Sequence, residues 1–116
     1  MKDKLGIAKT IGIDTNAFIE VFERPIVNAK GSLSGLSFAV KDNIAIKDKK
    51  LSFGTSPSNS KKMPVSASII EKLLALGAEC IGRTNLDEYA LNFTGSNPYF
   101  GTIGNPKYPN FTVLGS

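Results

Sequence analysis

The sequence predicts an α/β fold built on a strand–helix–strand crossover. Gly35-Leu36-Ser37-Phe38-Ala39-Val40 is an apolar run behind a turn, residues 66–76 have helical periodicity, and residues 78–81 return at once as a short apolar strand. Strand, loop, helix and then a strand after a short connection suit a parallel crossover pair.

The elements follow in order. Residues 13–22 form a short element of open type: Asp14 or Thr15 suits a helix cap, whereas the β-branched and aromatic residues suit a strand. Pro25 is expected to end it either way. Lys30-Gly31-Ser32-Leu33-Ser34-Gly35 is a turn into the first convincing strand, residues 36–40. Strand alternation puts Ser37, Ala39 and Lys41 on one face and Phe38, Val40 and Asp42 on the other. Asp42 therefore does not automatically neutralise Lys41. A buried ammonium is costly unless it is paired or gives up its proton, so Lys41 is either a strand-end cation reaching solvent or a candidate base.

Residues 44–46 continue as a short extended piece, and residues 47–64 are polar and turn-rich, a loop without its own core. In the next helix Ser66 is the expected N-cap. Ile69, Ile70, Leu73, Leu74 and Leu76 make the apolar face, and Gly77 terminates it. After the strand at 78–81, Gly82-Arg83-Thr84-Asn85 is expected to turn into a second helix over 86–92. Beyond Phe93 the glycines at 95, 101, 104 and 115 and the prolines at 98, 106 and 109 leave no closing element. The expectation is an incomplete core and a fragment of a larger domain.

Composition narrows the function. With 41% hydrophobic and 21% charged residues the chain has the make-up of a soluble globular protein. No apolar stretch is long enough to span a bilayer, and residues 1–6 lack a signal-peptide pattern, so a cytoplasmic location is expected. Cys80, the single cysteine, reads as a buried strand thiol. The absence of histidine removes Ser-His-Asp and Cys-His chemistry and leaves no convincing zinc ligand set. Acid–base work at neutral pH then falls to lysine, carboxylate or tyrosine. The chain has a net charge of +4, and its lysines cluster in two separate stretches, Lys47, Lys49 and Lys50, then Lys61 and Lys62. With Asp48 interleaved and no aromatic platform beside them, these read as solvated loops rather than a nucleic-acid surface.

Several segments, in order and spacing, resemble the amidase signature family of serine amidohydrolases. They are Gly35-Leu36-Ser37-Phe38-Ala39-Val40-Lys41-Asp42-Asn43, the helix from Val65-Ser66-Ala67-Ser68-Ile69-Ile70 to Leu76-Gly77-Ala78, Gly82-Arg83-Thr84-Asn85-Leu86-Asp87-Glu88-Tyr89-Ala90, Gly95-Ser96-Asn97-Pro98-Tyr99-Phe100-Gly101 and Asn105-Pro106. The resemblance covers residues 31–116, with 1–30 a poorly matched leader, and makes 1–116 the N-terminal part of one α/β/α domain around a mixed sheet. It implies a Ser-cisSer-Lys set in which Lys41 is the base. Leu114-Gly115-Ser116 resembles the start of the family's Gly-Gly-Ser-Ser-Gly-Gly stretch, making Ser116 the bridging serine. The nucleophilic serine and the oxyanion-hole donors lie downstream in the family, and Leu114 stands where it usually has glycine. No metal or organic cofactor is implied.

Thr84, Asn85 and Asp87 read as turn and cap residues, and Tyr89, Phe93, Tyr99 and Phe100 as core or loop anchors. Ser52 and Thr55 fit an ordinary polar loop as well as an active-site region, and Gly82, Gly95 and Gly101 read as turn glycines. The expected activity is hydrolysis of a small-molecule carboxylic amide, with a homodimer or amidotransferase subunits as partners and no direct contact with nucleic acid or membrane. The alternatives are the glutaminase subunit of a tRNA-dependent amidotransferase and a non-catalytic truncated remnant.

Overall fold

The expected crossover forms. A computed structural model describes residues 4–114, and in it β2 (Ser37–Lys41) leads through α2 (Ser68–Ala75) to β5 (Glu79–Thr84), which lies parallel to β2. On the other side of β5 runs β1 (Phe18–Ile26), antiparallel, so the sheet is mixed with the order β1-β5-β2. A short helical segment, α1 (Lys4–Ile7) widening into a π-type turn over Ala8–Gly12, precedes β1. A two-residue ribbon of β3 (Lys50–Leu51) and β4 (Lys61–Lys62) closes the long loop after β2.

The element of open type resolves as the strand β1, and it runs through Pro25 instead of ending there. β1 borders the three-stranded sheet on one side, and its register against β5 is irregular between Val21 and Ile26. An edge position with such a bulge is where a strand tolerates a missing N–H.

The core sits between the sheet and α2: Phe22, Val40, Ile46, Ile70, Leu74 and Cys80 are buried together, with Phe38 and Ile44 packed against them. On the helix, Ile70 and Leu74 reach this core, but Ile69 and Leu76 are exposed, so the apolar stripe is narrower than expected. The helix starts one residue after Ala67, and Ser66 instead accepts the Lys47 N–H at 2.8 Å through its hydroxyl. Its other end is a Schellman turn. Gly77 at φ 93° donates to the Leu74 carbonyl and Ala78 to that of Leu73, both at 3.1 Å. Cys80 is wholly buried, and burial pushes its thiol up to about 11.

Two expectations fail at the end of β5. Gly82 and Arg83 belong to the strand, not to a turn. A Cβ at Gly82 would lie 2.3 Å from the Glu20 carbonyl oxygen, so glycine is what lets β1 approach. The second helix shrinks to a 3-10 turn at Glu88–Ala90, with Tyr89 at φ 54° and Ala90 at φ 56°. Local side-chain bonds win there: Asn85 Oδ1 captures the Leu86 N–H at 2.8 Å, and Asp87 engages the chain that follows. Tyr89, Phe93 and Tyr99 are exposed and Phe100 half-buried, so the first three are not core anchors. No helix among the described residues is long and apolar enough to cross a membrane.

Candidate active site

Lys41 is the last residue of β2, opposite Thr84 in the parallel register. The strand stops there because the next backbone groups turn inward. The Asp42 N–H donates to the Thr84 carbonyl at 3.1 Å, and the Ile44 N–H closes a turn on the Lys41 carbonyl at 3.0 Å. Lys41 is half-buried and shares its face with half-buried Ser37 and exposed Ala39, away from the packed side of the sheet. Among the described residues no carboxylate lies within 4.0 Å of its Nζ; the ion pairs there belong to Arg83.

Asp42 takes the opposite face, as alternation requires, and is fully buried. Its Oδ1 accepts from Arg83 Nη1 at 2.5 Å, and its Oδ2 accepts the Ser52 hydroxyl and the Ser52 N–H, the latter at 3.2 Å. Arg83 reaches Glu20 through Nε at 2.9 Å and the Lys50 carbonyl through Nη1 at 3.0 Å. The Phe53 N–H donates to the Asp42 carbonyl at 2.9 Å, and the Thr55 hydroxyl to the Ser52 carbonyl at 2.6 Å. Ser52 and Thr55 are therefore buried parts of a clamp that holds the 52–55 loop against the turn following Lys41. Asn43 Oδ1, two residues from Lys41, is screened from solvent and has no donor among the described residues.

A second set of buried polar residues ties the 94–101 loop to this clamp. Asn97 Nδ2 donates to the carbonyls of Gly54 at 2.7 Å and Leu86 at 2.8 Å, while its Oδ1 accepts the N–H groups of Tyr99 and Phe100. Asn85 Nδ2 reaches the carbonyls of Asn16 and Gly101, both at 3.0 Å. Asp87 accepts the Thr94 hydroxyl at 2.6 Å and the N–H groups of Gly95 and Ser96. The Thr94 hydroxyl, aided by those amides, outweighs burial and lowers the Asp87 carboxyl below its ordinary 3.8.

A pH dependence follows. As the pH falls, the unfolded chain binds a proton at this position before the folded one does. The stability Asp87 contributes is thus fully present above the ordinary value of 3.8 and is lost as the pH drops below it through the lowered folded value. Urea titrations across the acid range are expected to show this loss in the parent and a flatter limb in Asp87→Asn; identical limbs would contradict it.

Phe53 and Tyr89 both hold positive φ, at 57° and 54°. Their rings stack at 6.4 Å, and the Tyr89 N–H donates to the Phe53 carbonyl at 2.8 Å. Backbone strain of this kind gathers at functional sites. Leu114 is at φ 58°, a conformation glycine adopts without strain, which gives the leucine-for-glycine departure a steric cost. Ser116 lies outside the described residues.

Sequence reasoning does not reach the Asp42–Arg83–Glu20 network or the part Asn97 plays. A signal for the first exists: alternation places Asp42 on the core face, where a carboxylate needs a cation, and Arg83 is the cation inside the next strand. Asn97 has no comparable signal, since its partners come from separate loops.

The same mixed α/β arrangement with its crossover helix is found in solved members of the amidase family. The chain belongs to that family, whose model, described as Amidase, matches residues 21–116. It is similar to the A-subunit of glutamyl-tRNA(Gln) amidotransferase of Methanosarcina barkeri, 37% identical over 78% of this chain and 21% of the relative. The equivalent protein of Sulfurisphaera tokodaii is 40% identical over 75% of this chain and 18% of the relative. Among solved structures, the glutamyl-tRNA(Gln) amidotransferase A-subunit from Thermotoga maritima superposes with a TM-score of 0.82 at 26% identity, covering 93% of this chain and 24% of that one. The peptide amidase of Stenotrophomonas maltophilia gives 0.67 at 26% identity, over 86% of this chain and 24% of that one. The chain thus spans about a fifth to a quarter of the length of the relatives it matches.

Proposed function

We propose that residues 1–116 are the N-terminal part of a single amidase domain and carry the base of a Ser-Ser-Lys serine hydrolase. The observation behind the reading is the placement of Lys41 at a strand end, on the face away from the Asp42–Arg83 pair, with no carboxylate beside it among the described residues. Lys41 Nζ takes the proton of the Ser116 hydroxyl, and Ser116 takes that of a nucleophilic serine further along the chain. That serine adds to the amide carbonyl and the C–N bond breaks. The proton passes to the leaving nitrogen, and water releases the acyl group as a carboxylic acid. The nitrogen leaves as ammonia or an amine. Asn43 Oδ1, a screened acceptor two residues along the chain from Lys41, is consistent with a further donor reaching this turn in the whole protein.

The amidotransferase relatives favour a second reading, in which the amide is that of glutamine and the released ammonia passes to partner subunits. A homodimer accompanies the first reading. The buried, unpaired thiol of Cys80 fits the cytoplasm in both, and the substrate is a small molecule.

In the protein that carries this chain, a serine-directed fluorophosphonate is expected to label one serine downstream of Ser116, and labelling is expected to need Lys41. Failure to label any serine there, or equal labelling after Lys41→Ala, would overturn the serine mechanism. Ammonia release from glutamine, set against release from simple aliphatic amides, separates the two readings.

A further inference from the structure

We infer that the cleft between the β3–β4 ribbon and β1 binds a small phosphate-bearing anion with at least two negative charges. The two lysine stretches that are separate in sequence are zipped together in the fold. The Asp48 N–H donates to the Met63 carbonyl at 2.8 Å and the Met63 N–H to the Lys49 carbonyl at 3.1 Å. Lys50 and Lys62 become direct partners across the ladder. Like charges set opposite each other on a ladder are unfavourable, and this ribbon has only two residues on each side to hold them there.

No carboxylate lies within 4.0 Å of either lysine's Nζ among the described residues. Both line a cleft of about 430 Å³ whose other charged residues are Glu20, Asp48, Lys49 and Arg83. Glu20 is engaged by Arg83 Nε, and Lys49 Nζ sits 4.2 Å from the centroid of the Phe22 ring. The Arg83 side chain is only 9% exposed, and its Nη2 has no partner among the described residues. The donors left for a ligand are thus Lys50, Lys62 and Arg83 Nη2, with Asp48 the opposing charge among the lining residues. An anion with two or more charges relieves the lysine repulsion as it binds, and phosphate oxygens accept from ammonium and guanidinium alike. The small volume and the carboxylates of Glu20 and Asp48 among its lining residues favour a compact anion over an extended nucleic-acid strand, which needs a continuous basic track with stacking platforms.

The test is calorimetric titration of the protein that carries this chain with pyrophosphate at low ionic strength. Saturable one-to-one binding is expected, weakened at least tenfold in Lys50→Gln and in Lys62→Gln and unchanged in Lys30→Gln, an exposed lysine that does not line the cleft. Without ligand, the two cleft variants are expected to unfold at urea concentrations no lower than the parent, because they remove a repulsion. Absence of saturable binding, or equal affinity in the cleft variants, would overturn the proposal. So would an oligoribonucleotide that binds the cleft lysines while pyrophosphate fails to compete.

Discussion

Lys41→Ala in the protein that carries this chain is expected to lower kcat for amide hydrolysis by about 10²- to 10⁴-fold, the range a positioned general base supplies. The fold should survive, since Lys41 is half-buried and makes no ion pair among the described residues. Loss of rate with an unchanged urea midpoint is therefore the expected signature. Lys41→Arg should be no better than alanine, because a guanidinium keeps its charge and cannot accept the serine proton. Steady-state kinetics on any amide turned over by the parent decides this; parental turnover in Lys41→Ala would refute the assignment of the base.

Arg83→Met is expected to be strongly destabilising. The Asp42 side chain is 0% exposed and the Arg83 side chain 9% exposed, so removing the cation leaves a carboxylate buried with only Ser52 as partner. Breaking a buried pair from one side costs about 3–5 kcal/mol, much of it the desolvation of the stranded charge. The Glu20 arm contributes little, because that side chain is 44% exposed. Replacing both members, Asp42→Leu with Arg83→Met, should recover part of the loss, which urea unfolding of the single and double variants measures. A single variant as stable as the parent would mean that the clamp does not hold the 52–55 loop.

The crossover is legible in the sequence because each of its parts is written locally. Alternation in residues 36–41 marks the strand, a helical stripe ends at Gly77, and the next strand follows without a loop. The same alternation separates Lys41 from Asp42 before any partner is known. The failures share one cause. Residues 86–92 have an acceptable helical composition, yet Asn85 and Asp87 take up the N–H groups of Leu86, Gly95 and Ser96, and Tyr89 is drawn to Phe53. Gly82 reads as a turn residue until a second strand is present for it to admit. Ile69 and Leu76 fit the helical stripe, but only Ile70 and Leu74 are buried where α2 meets the sheet.

By itself, then, the sequence determined the order of the strands and helix of the crossover and the face on which Lys41 stands. These depend on backbone periodicity and residue type, which act over a few neighbouring positions. Only the tertiary structure decided that Asp42 belongs to Arg83 and Ser52, that Asn97 joins two distant turns, and that Lys50 faces Lys62. Those contacts join residues 10 to 43 positions apart in the chain, and charge pairing and hydrogen bonding at that range exist only once packing has brought their partners together and removed the water between them.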